Sequence, residues 1–175
     1  MRNCVTTMRV CTFSAHSFGG VLFYGGIALK ETVCCFFGHR DTTDDIKDKL
    51  RQEIRSLIIN ENTRKFYVGN HGHFDYMVLK VLREMKTEFP SIDYAVVLSR
   101  MPDRPADEYA HFTPEESLFP DGLEKVPRKF GILWRNNWML KRADTVICYV
   151  LHYSGGSGRM IEKARKLEKR VINLA

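Results

Sequence analysis

The sequence predicts an α/β fold, a three-layer sandwich with a mainly parallel sheet of about five strands and helices on both faces. From residue 32 onward, short apolar runs alternate with longer segments whose apolar residues recur at helical spacing. This alternation is typical of parallel strands joined by crossover helices, which cover both faces of the sheet. The chain has 175 residues, 44% of them hydrophobic, so it can form one sizeable core and one domain.

The predicted elements follow one another in a regular order. We expect strands at residues 33–37, 65–68, 92–98, 145–151 and 170–174, and helices at residues 43–60, after residue 72, at 131–142 and at 159–169. Thr42 or Thr43 is the expected N-cap of the first helix. The apolar faces of the first two helices consist of Ile46, Leu50, Ile54, Leu57 and Ile58, and of Phe74, Met77, Val78, Val81, Leu82 and Met85.

The helix at residues 131–142 carries polar residues of functional interest. Its expected buried stripe consists of Ile132, Leu133, Met139, Leu140 and Ala143. Helical spacing puts Asn136 inside this stripe and Arg135 at its edge, where its guanidinium can extend into a crevice. A buried amide needs hydrogen-bond partners, which are either backbone groups of a loop or a bound base or sugar. Trp134 and Trp138 fall on the opposite face, which predicts cover by the chain's own long loop or by a second subunit of a homodimer.

A glycine-rich loop at residues 154–158 lies between the fourth strand and the last helix. Backbone amides at the start of a helix attract anions, and glycine lets a ligand approach them closely. No acidic residue precedes Glu162 in the expected helix, whose apolar positions are Met160, Ile161, Ala164 and Leu167. The loop is therefore predicted to bind a phosphate, although a plain turn is the alternative.

A second polar loop, Gly38-His39-Arg40, follows the first strand. Ligands in parallel sheets bind at the carboxyl ends of the strands, so we expect the two loops to meet if the first and fourth strands are neighbours. Asp41, Asp44 and Asp45 already satisfy the positive end of the first helix and would repel a phosphate there. Arg40 either reaches across to the phosphate or forms an ordinary surface ion pair with Asp41 or Asp44.

The segment at residues 102–127 contains most of the prolines and more acidic than basic residues. Long loops of this kind are usually lids or binding loops. A lid rich in acidic residues would disfavour a long nucleic acid strand and tolerate a small nucleotide; these residues are Asp103, Asp107, Glu108, Glu115 and Glu116.

Other site chemistries are less well supported by the sequence. His71 and His73, with Asp75 and His39, resemble zinc ligands, but no further ligand follows at a fixed spacing, so no metal and no cofactor is predicted. Asp75 is expected to cap or charge the first turn of its own helix. The five cysteines include no CxxC pair, which favours reduced, buried thiols in a cytoplasmic protein.

Residues 1–30 differ from the rest of the chain. Their apolar stretch at residues 18–29 is interrupted by four glycines and is shorter than the roughly 20 residues that cross a bilayer. We expect this leader segment to be disordered or non-native, with the functional domain at residues 31–175. The short apolar stretch predicts no membrane association. The net charge of +6 falls to +3 when the leader is left out, so nucleic acid is predicted to be an unlikely partner.

Several short motifs along the chain resemble the uncharacterised bacterial branch of the SLOG superfamily. That superfamily groups Rossmann-like domains of the DNA-processing protein A type and of the lonely-guy, or lysine-decarboxylase-like, type. The resemblance covers nearly all of residues 32–175. It is carried by Phe36-Phe37-Gly38-His39-Arg40-Asp41, by Tyr67-Val68-Gly69-Asn70 with Gly72, Phe74 and Asp75, by residues 120–124 with Pro127, by Arg135-Asn136 with Trp138-Met139, and by Gly155-Gly156.

This resemblance implies a nucleotide-type ligand in the crevice. In lonely-guy enzymes a Pro-Gly-Gly-x-Gly-Thr-x-x-Glu loop binds the nucleotide phosphate and its Glu acts on the ribose. Glu162 matches that Glu, whereas Ser154 and Arg159 replace the proline and the threonine. The expected ligand-binding residues are Gly38, His39, Arg40, Gly69, Asn70, Asp75, Arg135, Asn136, Ser154, Gly155, Gly156, Ser157 and Gly158.

Three functions therefore compete at the level of sequence. The favoured one is binding of a nucleotide or nucleotide-derived small molecule, as a sensor or by sequestration. The second is a phosphoribohydrolase that cleaves an N-glycosidic bond, with Glu162 and Arg135 as catalytic residues. The third is single-stranded DNA binding, against which the charge balance argues.

Overall fold

The computed structural model describes residues 22–24, 27–101 and 111–175. The chain divides into two units, Met1–Lys30 and Glu31–Ala175. In the first unit, β1 (Leu22–Tyr24) pairs with β2 (Ile27–Leu29) in antiparallel orientation. Residues 1–21, to which most of the prediction of a disordered or non-native leader applies, lie outside the described residues.

The second unit is an α/β sandwich with a six-stranded sheet. Its strands are β3 (Thr32–Gly38), β4 (Thr63–Val68), β5 (Asp93–Val97), β6 (Ser117–Leu118), β7 (Thr145–Tyr149) and β8 (Arg170–Asn173). Their order is β6-β5-β4-β3-β7-β8, and every pair of neighbours is parallel. The predicted parallel α/β sandwich is therefore confirmed. No helix among the described residues has the length and apolar character needed to span a membrane.

Within the described residues, four α-helices join the strands. They are α1 (Lys47–Asn60), α2 (His73–Glu88), α3 (Gly131–Arg142) and α4 (Gly156–Lys166). Buried residues of α1 and α2 pack on one face of the sheet, and buried residues of α3 and α4 pack on the other. Cys34 and Cys35, neighbours on β3, belong to opposite cores, as the alternation of side chains along a strand requires.

The apolar faces predicted for the first two helices are confirmed. Ile46, Leu50, Ile54, Leu57 and Ile58 are buried, and so are the six predicted residues of α2. Thr43 occupies the predicted N-cap position of the turn that leads into α1, but its side chain makes no capping hydrogen bond. Thr42 instead donates its hydroxyl to the carbonyl of His39 at 2.7 Å, and Thr43 bonds the carboxylate of Asp45. The first turn, Asp44–Ile46, is a 3-10 turn.

The described part of the long segment after β5 contains secondary structure that the sequence did not predict. It contains the sixth strand, β6, which the sequence did not predict, together with short 3-10 turns such as Pro114–Glu116. Glu116 pairs with Arg83 of α2 at 2.6 Å, which lowers the pKa of Glu116 to about 2, and Tyr94 donates to the same carboxylate. This carboxylate therefore fastens the segment to the sheet, while the predicted lid residues Asp103, Asp107 and Glu108 lie outside the described residues.

Candidate functional site

The two polar loops meet at the point where the strand order reverses. β3 lies between β4 and β7, so the loops that follow β3 and β7 leave the sheet side by side. The hydroxyl of Ser157 donates to the carbonyl of Gly38 at 2.6 Å, and the amide of Leu151 donates to Nε2 of His39 at 3.2 Å. Ligands of open α/β sheets bind at such a reversal.

A crevice of about 340 Å³ opens between these loops. That volume lies near the lower end of the roughly 300–1,000 Å³ of small-molecule sites. Eleven of the thirteen predicted ligand-binding residues line it, the exceptions being Asn70 and Gly158. The lining consists of Phe36, Phe37, Gly38, His39, Arg40, Gly69, His71, Asp75, Ile132, Arg135, Asn136, Met139, Ser154, Gly155, Gly156 and Ser157.

The start of α4 forms the open wall of the crevice. The helix begins at Gly156, almost one turn earlier than predicted, so its first amides belong to the glycine loop itself. A Cβ added to Gly155 or Gly156 would meet no atom within 4 Å, and the first turn contains no acidic residue. The positive end of α4 therefore faces space that a ligand can occupy.

Gly158 has a different role. A Cβ at this position would lie 2.2 Å from the carbonyl oxygen of Tyr153, so glycine is needed for the loop to pack on the helix.

Leu167, predicted on the buried stripe of this helix, is exposed because α4 ends at Lys166.

The opposite wall of the crevice contains two buried charges. Asp75, in the first turn of α2, is 9% exposed, and Arg135 of α3 is 3% exposed. Burial raises the pKa of Asp75 and lowers the pKa of Arg135, while each charge partly counteracts the shift of the other. The Asp75 carboxylate also accepts the amide of His71 at 2.9 Å, so it organises the β4–α2 loop.

Gly69 fits between these two charges. A Cβ there would lie 2.3 Å from Oδ2 of Asp75 and 2.6 Å from Nη1 of Arg135. The same guanidinium nitrogen donates to the side-chain oxygen of Asn70 at 3.1 Å and to the carbonyl of Val97 at 3.3 Å. Asn70, which does not line the crevice, thus orients Arg135 within it.

The predicted rotation of α3 is wrong. Arg135 was expected at the edge of the buried stripe and Asn136 in its middle, but Arg135 is buried and Asn136 is half-buried. Ile132 and Leu133, expected inside, are 38% and 52% exposed. The hydrogen bonds available to Arg135 at the carboxyl ends of β4 and β5 offset the cost of burying its charge, so the helix turns this residue inward.

The two tryptophans of α3 contact other parts of the chain. Trp138 packs edge-on against Tyr67 at 5.2 Å between ring centroids, and the guanidinium of Arg142 stacks over its outer face at 3.8 Å. A Cβ on Gly122 would lie 3.3 Å from the ring of Trp134. The long segment therefore lies against Trp134, whereas Trp138 is covered by Tyr67 and Arg142.

His71 lies among three arginines. Burial, followed by the positive charges of Arg135, Arg40 and Arg100, lowers the pKa of His71 to about 4, so its imidazole is neutral at pH 7. Its Nδ1 lies 2.6 Å from the side-chain oxygen of Asn70. The same arginines that keep a proton off His71 create a positive potential, which favours an anion in this region.

Arg40 is exposed and lines the crevice. Within residues 22–24, 27–101 and 111–175, its guanidinium makes no ion pair with Asp41 or Asp44, and Asp44 instead contacts His73 at 2.9 Å. Of the two alternatives for Arg40, the geometry favours the one in which it faces the crevice.

The residues considered as metal ligands have other partners. His39 accepts the Leu151 amide, His71 contacts Asn70, and His73 contacts Asp44. Across the part of the chain that the structure describes, no group of three His, Cys, Asp or Glu side chains could hold a metal ion.

Glu162 does not join the crevice. It lies on the exposed side of α4, four residues beyond the glycine loop that the hydrolase hypothesis requires it to serve, and it is not one of the lining residues. The carboxylate that does line the crevice is Asp75.

A second cavity beside the crevice was not predicted. Its volume is about 610 Å³, and it shares Gly69, His71 and Asp75 with the crevice. Its other residues come from the β4–α2 loop, from α2 and from the segment after β5. Its aromatic residues are too far apart in the sequence to form a recognisable motif.

Comparison with known proteins identifies the fold. No family model matches the sequence, and no curated protein does either. Among solved structures, DNA processing protein A from Helicobacter pylori matches with a TM-score of 0.54 and 16% identity over 81% of this chain and 64% of that chain. DNA processing protein A from Streptococcus pneumoniae matches with a TM-score of 0.57 and 17% identity over 83% of this chain and 50% of that chain.

This chain thus spans between half and two thirds of the length of those proteins. At such identities the likeness shows the fold alone. The Rossmann-like fold that the resemblance to the SLOG superfamily implied is therefore confirmed.

The prediction that nucleic acid is an unlikely partner is overturned. The Helicobacter pylori protein, which shares this fold, is described as having a unique single-stranded DNA binding mode. The sequence argument failed because it averaged charges that are segregated. Residues 131–175 carry nine Lys and Arg against three Asp and Glu, a net charge of +6, whereas residues 31–130 carry 15 against 18, a net charge of −3.

Proposed function

We propose that the crevice binds the phosphate of a nucleotide or a nucleotide-derived small molecule, which the protein senses or sequesters. The observation that carries this proposal is the empty space at Gly156, where the first amides of α4 face the crevice and a Cβ would meet no atom within 4 Å. Free amides at a helix start bind anions, and glycine leaves room for the phosphate oxygens.

The surroundings of this position favour an anion. Arg40 and Arg135 line the same crevice, and α4 has no acidic residue in its first turn. The apolar side chains of Ile132 and Met139 provide a surface for the uncharged part of a ligand. Together these groups match a small molecule that is anionic at one end and apolar at the other.

Buried, free thiols at Cys34, Cys35 and Cys148 fit a reducing compartment, which supports a cytoplasmic location for this function.

A thermal-shift screen of nucleotides tests the proposal. A ligand that binds only the folded protein, at 100 times its Kd, adds about 2.7 kcal/mol to the free energy of unfolding, which raises the Tm by roughly 5–10 °C. Gly156→Asp places a carboxylate in the open space and should abolish the shift, whereas Gly156→Ala adds only a methyl group and should reduce it modestly. Equal shifts in all three proteins would mean that the phosphate does not bind at α4.

Single-stranded DNA binding is the second candidate function. It is favoured by the net charge of +6 on residues 131–175 and by the described binding mode of the Helicobacter pylori protein. On α4, the exposed side chains of Arg159, Lys163 and Lys166 recur at helical spacing, and Nζ of Lys163 contacts Asn137 of α3 at 2.5 Å. The cationic stripe therefore borders α3 and continues away from the crevice.

Salt dependence separates the two candidates. Three or four phosphate contacts with a single strand would weaken binding of an oligothymidylate roughly 20- to 50-fold between 50 and 200 mM salt. Arg159→Gln and Lys163→Gln should each lower that slope, while Lys125→Gln, on the acidic part of the chain, should leave it unchanged. Failure of the wild type to bind the oligonucleotide at 50 mM salt would exclude this candidate without affecting the first.

N-glycosidic cleavage is not favoured by the geometry, because Glu162 is exposed and outside the crevice. Release of free base from any nucleoside monophosphate, lost in Glu162→Gln, would reverse that conclusion.

A further inference from the structure

The second cavity lies at the carboxyl ends of β4 and β5, next to the crevice, and is the larger of the two. Its volume is about 610 Å³, against about 340 Å³ for the crevice. Its lining includes Tyr76, Leu79, His111 and Phe112, together with three residues that it shares with the crevice.

The wall of this cavity is largely aromatic. The rings of Tyr76 and His111 lie 4.7 Å apart between centroids, with an angle of 53° between their planes. Leu79 and Phe112, which are 3% and 6% exposed, provide an apolar base for the cavity. Aromatic rings over an apolar base suit a planar heterocycle, which gains free energy both from stacking and from burial.

Polar groups lie at the boundary between the two cavities. Gly69, His71 and Asp75 line both cavities. A Cβ on Gly72 would lie 2.8 Å from Cα of Arg40, and the amide of His73 donates to the carbonyl of Arg40 at 3.0 Å. The two cavities thus adjoin at residues that line both of them, next to the backbone of Arg40.

The boundary is a built polar site. Asp75 is nine-tenths buried, and Oδ2 of its carboxylate holds the His71 amide at 2.9 Å. The imidazole Nδ1 of His71 lies 2.6 Å from the Asn70 side chain. These hydrogen bonds fix the position of His71, so donors and acceptors at the boundary are oriented before a ligand arrives.

We propose that the second cavity binds the base of the nucleotide whose phosphate binds at Gly156, with the sugar crossing over His71. This inference rests on the proposed function for the position of the phosphate, but the stacking site itself depends on Tyr76 and His111. It defines the ligand class more narrowly, because a phosphorylated sugar without a base would fill only the crevice.

Three kinds of probe test the base site on the full chain, with Kd measured by titration calorimetry. They are ribose 5-phosphate, the four common ribonucleosides and the corresponding 5′-monophosphates. We expect at least one monophosphate to bind tenfold or more tightly than ribose 5-phosphate. Tyr76→Ala and His111→Ala should each weaken that monophosphate roughly 5- to 100-fold, as stacked bases typically respond, and leave ribose 5-phosphate unchanged.

Phe130→Ala is the matched control. The ring of Tyr76 has Nζ of Lys80 at 4.4 Å from its centroid, and the ring of Phe130 has Nζ of Lys129 at 5.0 Å. Phe130 is 49% exposed and lines neither cavity. It should change neither affinity.

The outcomes separate the two proposals. Binding of a nucleoside alone, lost in Tyr76→Ala, together with no binding of ribose 5-phosphate, would support the base site and reject the phosphate site. Equal affinity for ribose 5-phosphate and all four monophosphates, or a loss in Tyr76→Ala that is the same for both, would overturn the base site.

Discussion

The two walls of the crevice use glycine for opposite purposes. At Gly69 a Cβ would lie 2.3 Å from the Asp75 carboxylate, so the missing side chain lets two buried charges approach each other. At Gly156 a Cβ would meet nothing within 4 Å, so the missing side chain leaves space. The wall at Gly69 is therefore closely packed, and we call it the packed wall. The wall at Gly156 is open, and a ligand can occupy the space where a side chain would otherwise lie.

This difference shows how the fold can prepare a binding site. Asp75 and Arg135 lose hydration on burial, and their mutual attraction and hydrogen bonds compensate for it only if their geometry is maintained. The packed wall is thus held by interactions that make movement costly. The amides of α4 on the open wall are held by the helix itself, so no reorganisation is needed when an anion binds.

Arg135→Met should produce the largest effect on stability. It leaves the Asp75 carboxylate buried without its opposite charge, which costs about 3–5 kcal/mol in the free energy of unfolding. Because burial already raises the pKa of Asp75, the loss should be smaller at low pH, where that carboxyl is protonated, and larger as the pH rises. Urea unfolding at pH 4.5 and pH 7 measures both effects.

The double variant Asp75→Asn/Arg135→Met is the control for this prediction. It removes both charges, so its unfolding free energy at pH 7 should exceed that of Arg135→Met. A double variant as unstable as, or less stable than, Arg135→Met would show that Asp75 and Arg135 do not act as a pair.

The packed wall was the part of the site least accessible from the sequence. The order of elements and the apolar faces of α1 and α2 follow from local periodicity, because the buried residues of these helices are all apolar except Asp75. In α3 this periodicity fails to predict the burial of Arg135. Its charge is buried beside Asn70 after β4, Val97 of β5 and Asp75 of α2, which are 38 to 65 residues away. Such long-range compensation leaves no periodic signal.

The open wall was predicted more closely. The glycine loop, its contact with Gly38 and the absence of acid in the first turn of α4 all depend on local sequence and on strand order. β6 was missed because two residues are too few to show a strand pattern. The segregation of charge was missed because a total over the chain hides its distribution between residues 31–130 and 131–175.

Gly69→Ala should have the next largest effect. The added methyl group would overlap both Oδ2 of Asp75 and Nη1 of Arg135, so the buried charges must move apart, at a cost of about 1–3 kcal/mol. The change in urea midpoint at constant m-value gives this free energy. A variant as stable as the wild type would mean that the packed wall yields easily, and it would remove the contrast between the two walls.

A smaller effect is expected from the titration of His71. Its pKa is lowered to about 4, first by burial and then by Arg135, Arg40 and Arg100, against an ordinary value of about 6.5. A lowered pKa means that the contribution of His71 to stability is fully present above pH 6.5 and is lost as the pH falls towards 4. The Tm of His71→Gln should therefore fall less than the Tm of the wild type between pH 7 and pH 4.

Asp75 titrates in the opposite sense but is common to both proteins, so its effect largely cancels in the difference. Because His71 is only half-buried, solvent screens its charge and the difference should be smaller than the effect of Gly69→Ala. Parallel pH profiles of Tm would show that the three arginines do not act on His71.

Gly156→Ala should have the smallest effect, within about 0.5 kcal/mol of the wild type. The added methyl group projects into open space at the first position of α4, where alanine is at least as favourable as glycine for helix formation. Urea unfolding of this variant beside Gly69→Ala and Gly158→Ala compares the two walls directly, since the chemical change is the same in each.

At Gly158 an added Cβ would lie 2.2 Å from the Tyr153 carbonyl. A loss of unfolding free energy for Gly156→Ala as large as for Gly158→Ala would show that the open position at Gly156 is needed for packing. Since a position needed for packing cannot also be kept free for a phosphate, that result would remove the physical basis for anion binding at α4.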